Sequence, residues 1–388
     1  MITYNNIKYN IYELLIITAF YPEKDIGSSP WSERYSGLYL YSLYKYKNLL
    51  QKHNYNVLWY SIRDSKLRRP FEKNKIIKKL NNYMFFIKEI ICNKLYNKSK
   101  VYIIANPLFR NRYFIKVLFF LLTIYFLKNN NFIIIDLVDS LVMMNKQYIN
   151  NKIYKIIFNL FAIFAEKQLL TMANKIIVTS DNMILKLKNE YNLDNNKFIV
   201  IPMGIHVNDY DLSLKEKDKH KFSVFYGGVI SSDRGFDNLL ICMDKINQFI
   251  NIELICCGRI DKKIRVIDKP WLKIYSNISY KEYVDIIVKN ADIGIIPYPK
   301  NEWWDNVSIS KVATYAAAGI AIVTTNLDFT AKFVKYWDCG YVAKSWEEIY
   351  EIIIFLANNK DICKFKGNNA RQAAEKTLDW RVLSFIFT

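Results

Sequence analysis

The chain has only three histidines and six cysteines in 388 residues, and neither set is arranged to hold a metal ion. His53, His206 and His220 show no metal-ligand spacing, which argues against a zinc site. Cys92, Cys242, Cys256, Cys257, Cys339 and Cys363 include no CxxC pair, and several sit inside apolar strand-like runs, so buried reduced thiols are expected. Long hydrophobic runs are also missing. The best candidate, VLFFLLTIYFL (117–127), is closed by Lys116 and Lys128, short of the roughly 18 apolar residues that a spanning helix needs. The opening MITYNNIKYN lacks the charged-then-apolar layout of a secretory signal. These absences lead us to expect a soluble or peripheral protein on the cytoplasmic side, and no short-period repeat is visible.

Arginine is scarce beside lysine, 11 against 44, in a chain rich in Asn, Ile, Lys and Tyr. Codon bias of that kind raises charge everywhere, yet the surplus is uneven. Residues 1–200 hold 30 Lys+Arg against 13 Asp+Glu (+17), whereas residues 201–388 hold 25 against 23 (+2). The same bias acted on both halves, so the basic first half calls for a local cause. Between Arg63 and Lys100, twelve basic residues face three acidic ones. There Ile76, Leu80, Met84, Ile87, Ile91 and Leu95 recur at helical spacing, flanked by Lys73, Lys75, Lys78, Lys79, Lys88 and Lys94. That pattern suits a helix lying on an anionic membrane, and equally a core-facing helix with a solvated basic back.

With 52% hydrophobic and 23% charged residues the composition is globular, and the length suggests two or three domains. Short β-type runs recur at 12–18, 55–60, 101–105, 132–137, 175–180 and 197–202, separated by helix-length segments such as 36–53 and 153–173. Strands alternating with helices predict a parallel α/β sheet. The polar stretch GIHVNDYDLSLKEKDKHK (204–221) has no apolar period and reads as a linker. The alternation then restarts, with strands over 222–228, 252–258, 272–276 and 291–298 and helices near 236–250 and 280–290. The expected organisation is a first domain 1–203, a linker 204–221, a second domain 222–375 and a C-terminal helix 376–388, open to crossing back to the first domain.

Two stretches carry chemistry. In FYGGVISSDRGFDNLL a strand ends in Gly227 and Gly228, passes through a polar loop and reaches Arg234 just before a helix. The glycines let backbone approach a ligand, and the arginine offers a fork of donors to phosphate oxygens, although an ordinary surface turn has the same outline. In DNVSISKVATYAAAGIAIVTTN (305–326) a loop runs into a short helix, a glycine stop and a buried strand. Lys311 stands at the opening of that helix, where the macrodipole already places positive charge. It is well placed if an anion sits over the helix start; otherwise it is a solvated lysine at a surface helix end. Two cations after strands of one α/β domain are able to neutralise a diphosphate.

In order and spacing these segments resemble the GT-B-fold glycosyltransferases, specifically the retaining, family 4-like group that uses nucleotide-activated sugars. YKEYVDIIVKNADIGIIPY resembles the group's helix followed by Ala-Asp and a strand ending in Pro-Tyr. SISKVATYAAAGIAIVTTN resembles its Ser-x-x-Lys-x-x-Glu-Tyr segment, and IPMGIH and PEKDIGSSP stand where its N-terminal half carries short glycine-containing motifs. The resemblance covers most of the chain. It implies an α/β fold of two Rossmann-like domains facing across a cleft, the first for the acceptor and the second for the donor. Arg234, Lys311, Gly228 and Gly27 would meet the donor diphosphate; Ile278, Ser310, Asn306 and Thr314 fall where base, ribose or sugar are held.

Asn306 and Thr314 occupy positions that are commonly acidic in the group, with a Glu on the ribose hydroxyls at the latter. A threonine hydroxyl is shorter and neutral, so ribose gripping is expected to be weaker or different. The resemblance assigns no catalytic base. Same-face transfer assisted by the donor phosphate needs charge stabilisation instead. Asp139, at the end of a strand, is the best candidate for contacting sugar or acceptor, and is equally placed to cap the next helix. The implied activity is a metal-independent glycosyltransferase of hexosyltransferase type, without cofactor. It would move a sugar from a nucleotide donor to a lipid-linked or glycan acceptor at the inner face of a membrane. Transfer to nucleic acid, and a catalytically silent sugar-nucleotide-binding protein, are the competing readings. Against the first, only six arginines lie in residues 1–200.

Overall fold

The structure, a computed structural model, describes the backbone of strands within residues 2–104 and most of the chain from 121 to 383. In the first part these are residues 2–4, 7–9, 14–18, 57–61, 66–68 and 100–104; in the second, 123, 126, 130, 141, 144–151, 216–220, 263 and 265–267 are outside the description, as are the side chains of 152–155. The helix expected over 36–53, the Gly27 loop and the lysine-flanked stripe 76–95 lie outside the described residues. The chain forms two compact units whose main division falls between Pro202 and Met203.

In the first unit, β1 (Ile2–Tyr4) and β2 (Ile7–Tyr9) make a small antiparallel ribbon. A seven-stranded sheet follows, built from β3 (Leu14–Thr18), β4 (Val57–Ser61), β5 (Lys66–Arg68), β6 (Lys100–Ile104), β7 (Phe132–Leu137), β8 (Lys175–Val178) and β9 (Phe198–Val200). Its order is β5-β4-β3-β6-β7-β8-β9, parallel except for the edge strand β5. Helix α1 (Lys152–Met172) joins β7 to β8, and α2 (Asp181–Tyr191) joins β8 to β9, started by Ser180, whose side chain accepts the Met183 N–H. Five of six residues of β7 are buried, as expected of a strand covered on both faces.

The second unit is a six-stranded, wholly parallel sheet. Its strands are β10 (Phe222–Gly227), β11 (Ile252–Cys257), β12 (Leu272–Tyr275), β13 (Ile293–Ile296), β14 (Ala321–Thr325) and β15 (Gly340–Ala343). Helices α3 (Phe236–Ile246), α4 (Tyr280–Asn290), α5 (Glu302–Asn306), α6 (Ser310–Ala317) and α7 (Asp328–Tyr336) alternate with them, and α8 (Trp346–Asn358), α9 (Lys360–Ala373) and α10 (Trp380–Leu383) follow. Helix α4 begins with a full capping box between Ser279 and Glu282. The order β12-β11-β10-β13-β14-β15 is that of a doubly wound dinucleotide-binding fold. Chain direction across the sheet reverses between β10 and β13, and the crevice beyond the carboxyl ends of those two strands is where such sheets take ligands.

The linker expectation is corrected over 204–215. These residues form two single 3₁₀ turns, Val207–Asp209 and Leu212–Leu214, and Tyr210 is fully buried. The Arg371 guanidinium donates to Tyr210 O (2.9 Å) and Ala317 O (2.6 Å). Single turns have no 3.6-residue period, so hydropathy patterning does not register them. The C-terminal segment is pinned to the same stretch: Ile205 N–H donates to Leu378 O and Trp380 N–H to Ile205 O.

Candidate functional site

Strand β10 delivers Gly227 and Gly228 at its carboxyl end. A hydrogen bond from Gly228 N–H to Cys257 O (2.8 Å) ties the turn to the next strand, and Tyr226 Oη donates to Val229 O (2.7 Å), fixing the loop. Gly228 has φ +104°, and a Cβ there would lie 2.8 Å from Lys311 Nζ, so the backbone itself forms the floor beneath the lysine. The loop continues through a 3₁₀ turn, Ser232–Arg234, into α3. Gly235 makes that bend at φ +77°, against Pro297 O, where no Cβ would fit.

Beyond β13 the chain supplies Pro297 and Tyr298, then Asn301, whose side-chain oxygen accepts the N–H groups of Trp303 and Trp304 and starts α5. The two indoles stack at 4.4 Å, and Trp304 lies 4.5 Å from the Tyr298 ring. Helix α6 then presents Lys311 from its first turn. Its Tyr315 is fully buried; the hydroxyl accepts Gly227 N–H (3.0 Å) and donates to Ile295 O (3.2 Å), locking α6 to the ends of β10 and β13.

Lys311 and Arg234 meet on one atom. Lys311 Nζ and Arg234 Nη1 both hydrogen-bond the Tyr298 hydroxyl, the latter at 3.4 Å. Lys311 Nζ stands over the rings of Tyr298 (4.7 Å) and Tyr226 (5.3 Å), and the Arg234 guanidinium over those of Trp304 (5.5 Å) and Tyr298 (5.7 Å). Lys311 is only 6% exposed, which removes the alternative of a solvated surface lysine. Burial, and after it the adjacent Arg234 charge, push its pKa well below the ordinary lysine value. Burial likewise keeps the phenols of Tyr226 and Tyr315 neutral, with pKa values far above the usual. Two basic groups held together at a glycine floor amount to a cradle for an anion.

The structure therefore brings Gly228, Arg234 and Lys311 together. Thr314, on the same helix, is buried and donates its hydroxyl to Ser310 O (3.2 Å), a bond within α6. Asn306 ends α5 and donates its side-chain amide to Glu302 O. Ile278 is half-buried and precedes the Ser279 cap of α4, beyond β12. Asp139 follows β7 in the first unit and is buried; there it is Ser140 whose hydroxyl accepts the Met143 N–H in the manner of a cap (3.4 Å). Gly27 lies outside the described residues. Sequence reasoning missed the aromatic wall of Tyr226, Tyr298 and Trp304. Its one signal was the Pro-Tyr ending of the β13 segment, and with 29 tyrosines in the chain a single tyrosine carries little information.

No protein-family model matches the sequence, and no curated protein sequence matches it significantly. Solved structures match over nearly the whole length. Sucrose-phosphate synthase from Thermosynechococcus elongatus aligns over 97% of each chain at 12% identity and a TM-score of 0.64. A glycosyltransferase from Rickettsia africae aligns over 98% of each at 14% identity and 0.61. HepE from Anabaena, solved in complex with UDP, aligns over 96% of this chain and 97% of its own at 12% identity and 0.57. The fold of this chain is thus GT-B, two Rossmann-like α/β units of the kind these proteins share.

Proposed function

We propose that the protein is a glycosyltransferase that takes a sugar from a nucleoside diphosphate donor, with the diphosphate bound between Arg234 and Lys311. The observation that carries this reading is the meeting of those two side chains on the Tyr298 hydroxyl above Gly228, at the strand-order reversal of the second sheet. The glycosyltransferases among the structural neighbours, and the UDP bound to HepE, support it. Strands are spaced about 4.8 Å apart, so the loop at Ile278, two strands along from β10, lies about 10 Å away, the reach from a diphosphate to its base.

In this reading catalysis is charge stabilisation. The bond from anomeric carbon to phosphate oxygen breaks, the electron pair leaves with the diphosphate, and Lys311 and Arg234 hold the charge that develops there. The acceptor hydroxyl oxygen bonds to the anomeric carbon on the face from which the diphosphate departs, and the departing phosphate oxygen takes its proton, giving retention without a dedicated base or metal ion. Asp139 is assigned to the sugar or acceptor. The acceptor is lipid-linked or a glycan, and the enzyme works at the inner face of a membrane, to which its basic first half is drawn. Replacing Lys75, Lys78, Lys79 and Lys88 by Glu should then weaken sedimentation with anionic vesicles, most clearly near 0.1 M salt, where the Debye length is about 10 Å.

A thermal-shift panel of nucleoside diphosphates and sugar nucleotides tests the reading, followed by product analysis for donor hydrolysis or transfer. Stabilisation by nucleoside diphosphates well beyond that by the nucleosides is expected; an unmoved transition across the panel refutes the donor site. Thr314→Ala should retain most donor affinity and turnover, since its one proton goes to Ser310 O within α6 and its neutral oxygen is a weaker acceptor for ribose hydroxyls than a carboxylate. Loss of turnover in a folded Thr314→Ala protein would place that hydroxyl on the substrate.

A further inference from the structure

Helix α1 is apolar on both sides. Ala162, Ala165, Leu169 and Leu170 on its inner side belong to the buried core. On the outer side Ile156 (62% exposed), Ile157, Leu160 (65%), Ile163 and Phe164 all face solvent. At 100° per residue these five fall within an arc of about 120°, where a surface helix ordinarily carries its charged face.

The neighbouring helical residues 121, 122, 124, 125, 127 and 128 extend this face. The crossovers from β6 to β7 and from β7 to β8 are successive parallel steps in one direction, so right-handed connections put their helices side by side on one face of the sheet. Leu121, Ile124 and Leu127 accordingly share a core cluster with Ala165, Leu169 and Leu170. Leu122 and Tyr125 point outward and are exposed.

We propose that this double-helix face is the surface by which the protein inserts into the interfacial layer of an anionic bilayer. The idea deepens the membrane part of the proposed function and is independent of the donor chemistry. Charge selects the occupant. The one acidic residue of α1, Glu166, is fully buried and accepts hydrogen bonds from Ser140 (3.0 Å) and Tyr191 (2.9 Å), so α1 offers no exposed carboxylate. Lys167 and Lys128, both exposed, close the two outer faces, the arrangement in which lysines reach headgroups while apolar side chains enter the acyl boundary. A second copy would bring one +17 half against another, whereas an anionic lipid surface is complementary to it.

Vesicle flotation with the full chain tests this, using phosphatidylglycerol-containing and purely phosphatidylcholine vesicles. The wild type should float with the anionic vesicles and keep part of its binding at 1 M salt, where charge attraction is screened to about 3 Å. Leu160→Glu combined with Phe164→Glu should lower the bound fraction ~10-fold or more at both salt concentrations, because apolar area is lost from the interface. Should that pair fail to fold, Phe164→Trp serves instead: once the emission of the eight native tryptophans is subtracted with the wild type, the added emission should shift to the blue with anionic vesicles only. Equal flotation of wild type and double variant, or no blue shift, overturns the proposal. So does a wild-type dimer that the double variant dissolves, which makes a second copy the occupant, or a Leu160→Cys thiol unreactive toward a polar maleimide without vesicles, which means the chain itself covers the face. Failure of nucleoside diphosphates to bind, with flotation intact, would sink the donor site and leave this surface standing.

Discussion

Lys311→Met should make the ligand-free protein more stable and at the same time remove most of its affinity for nucleoside diphosphates. Burial, and then Arg234, disfavour the Lys311 ammonium, while methionine keeps the unbranched chain and needs no solvation. With its pKa lowered by folding, Lys311 binds fewer protons in the folded than in the unfolded protein at pH values between the lowered value and the ordinary one near 10.5. The stability of the empty wild type should therefore rise with pH through that window, and this contribution should vanish in Lys311→Met. A diphosphate reverses the preference, since negative charge over Nζ favours the ammonium. Binding should accordingly take up a proton and weaken as pH rises through the same window. One charge-assisted contact is worth about 1.5–3 kcal/mol, or roughly 10- to 150-fold in affinity. Arg234→Ala should lose a similar factor and also reduce the proton uptake, because it removes the second cause of the lowered Lys311 pKa and leaves burial as the first. Calorimetry in two buffers of different ionisation enthalpy counts the protons directly, and equal diphosphate affinity in wild type and Lys311→Met would disprove the role given to the lysine.

Strands β10, β11, β13 and β14 of the second unit were legible because they are buried on both faces, whereas the edge strand β15, mostly half-buried, was not expected. Runs such as IELICC and AIVTT contain little but apolar or β-branched residues, and the observed ends differ from the expected ones by one or two positions. The site was legible where charge chemistry and glycine coincide, at Gly228, Arg234 and Lys311. That Lys311 is buried was not, because burial depends on Tyr298, Tyr226 and the α6 anchor Tyr315 arriving from three separate segments. The packing of 204–215 was hidden for a similar reason: its contacts reach Gly319 O from Lys215 and Tyr210 O from Arg371, more than 100 residues apart in each case. Local polarity there reflected exposed side chains on turns whose backbone is tied down, and polarity alone does not distinguish that from a free linker.

Those distant ties make Trp380→Ala the substitution with the largest expected loss of stability. Trp380 is fully buried, and its ring fills the space beside Gly204 so closely that a Cβ at Gly204 would come within 2.6 Å of it. Around it, the backbone of 378–380 zips onto Ile205 by hydrogen bonds of 2.8 and 3.0 Å, and the buried Asp379 carboxylate accepts Arg381 N–H (2.8 Å). The same end of the chain reaches the site, since Arg371 on α9 also holds Ala317 O at the last turn of α6, the helix that carries Lys311. Truncating a buried tryptophan costs about 3–5 kcal/mol, and Gly204→Ala should cost about 1–3 kcal/mol by forcing the ring aside. Chemical denaturation should show the midpoint falling with little change in slope. Where the variant is still folded, nucleoside diphosphate affinity should stay close to wild type, because Trp380 packs beside Gly204 and Ile205 while the cradle is built on the ends of β10 and β13 and the start of α6. A loss below about 1 kcal/mol would mean that the cavity collapses or that the 378–383 docking contributes little, and that the 204–215 turns are held chiefly by Arg371 and Lys215.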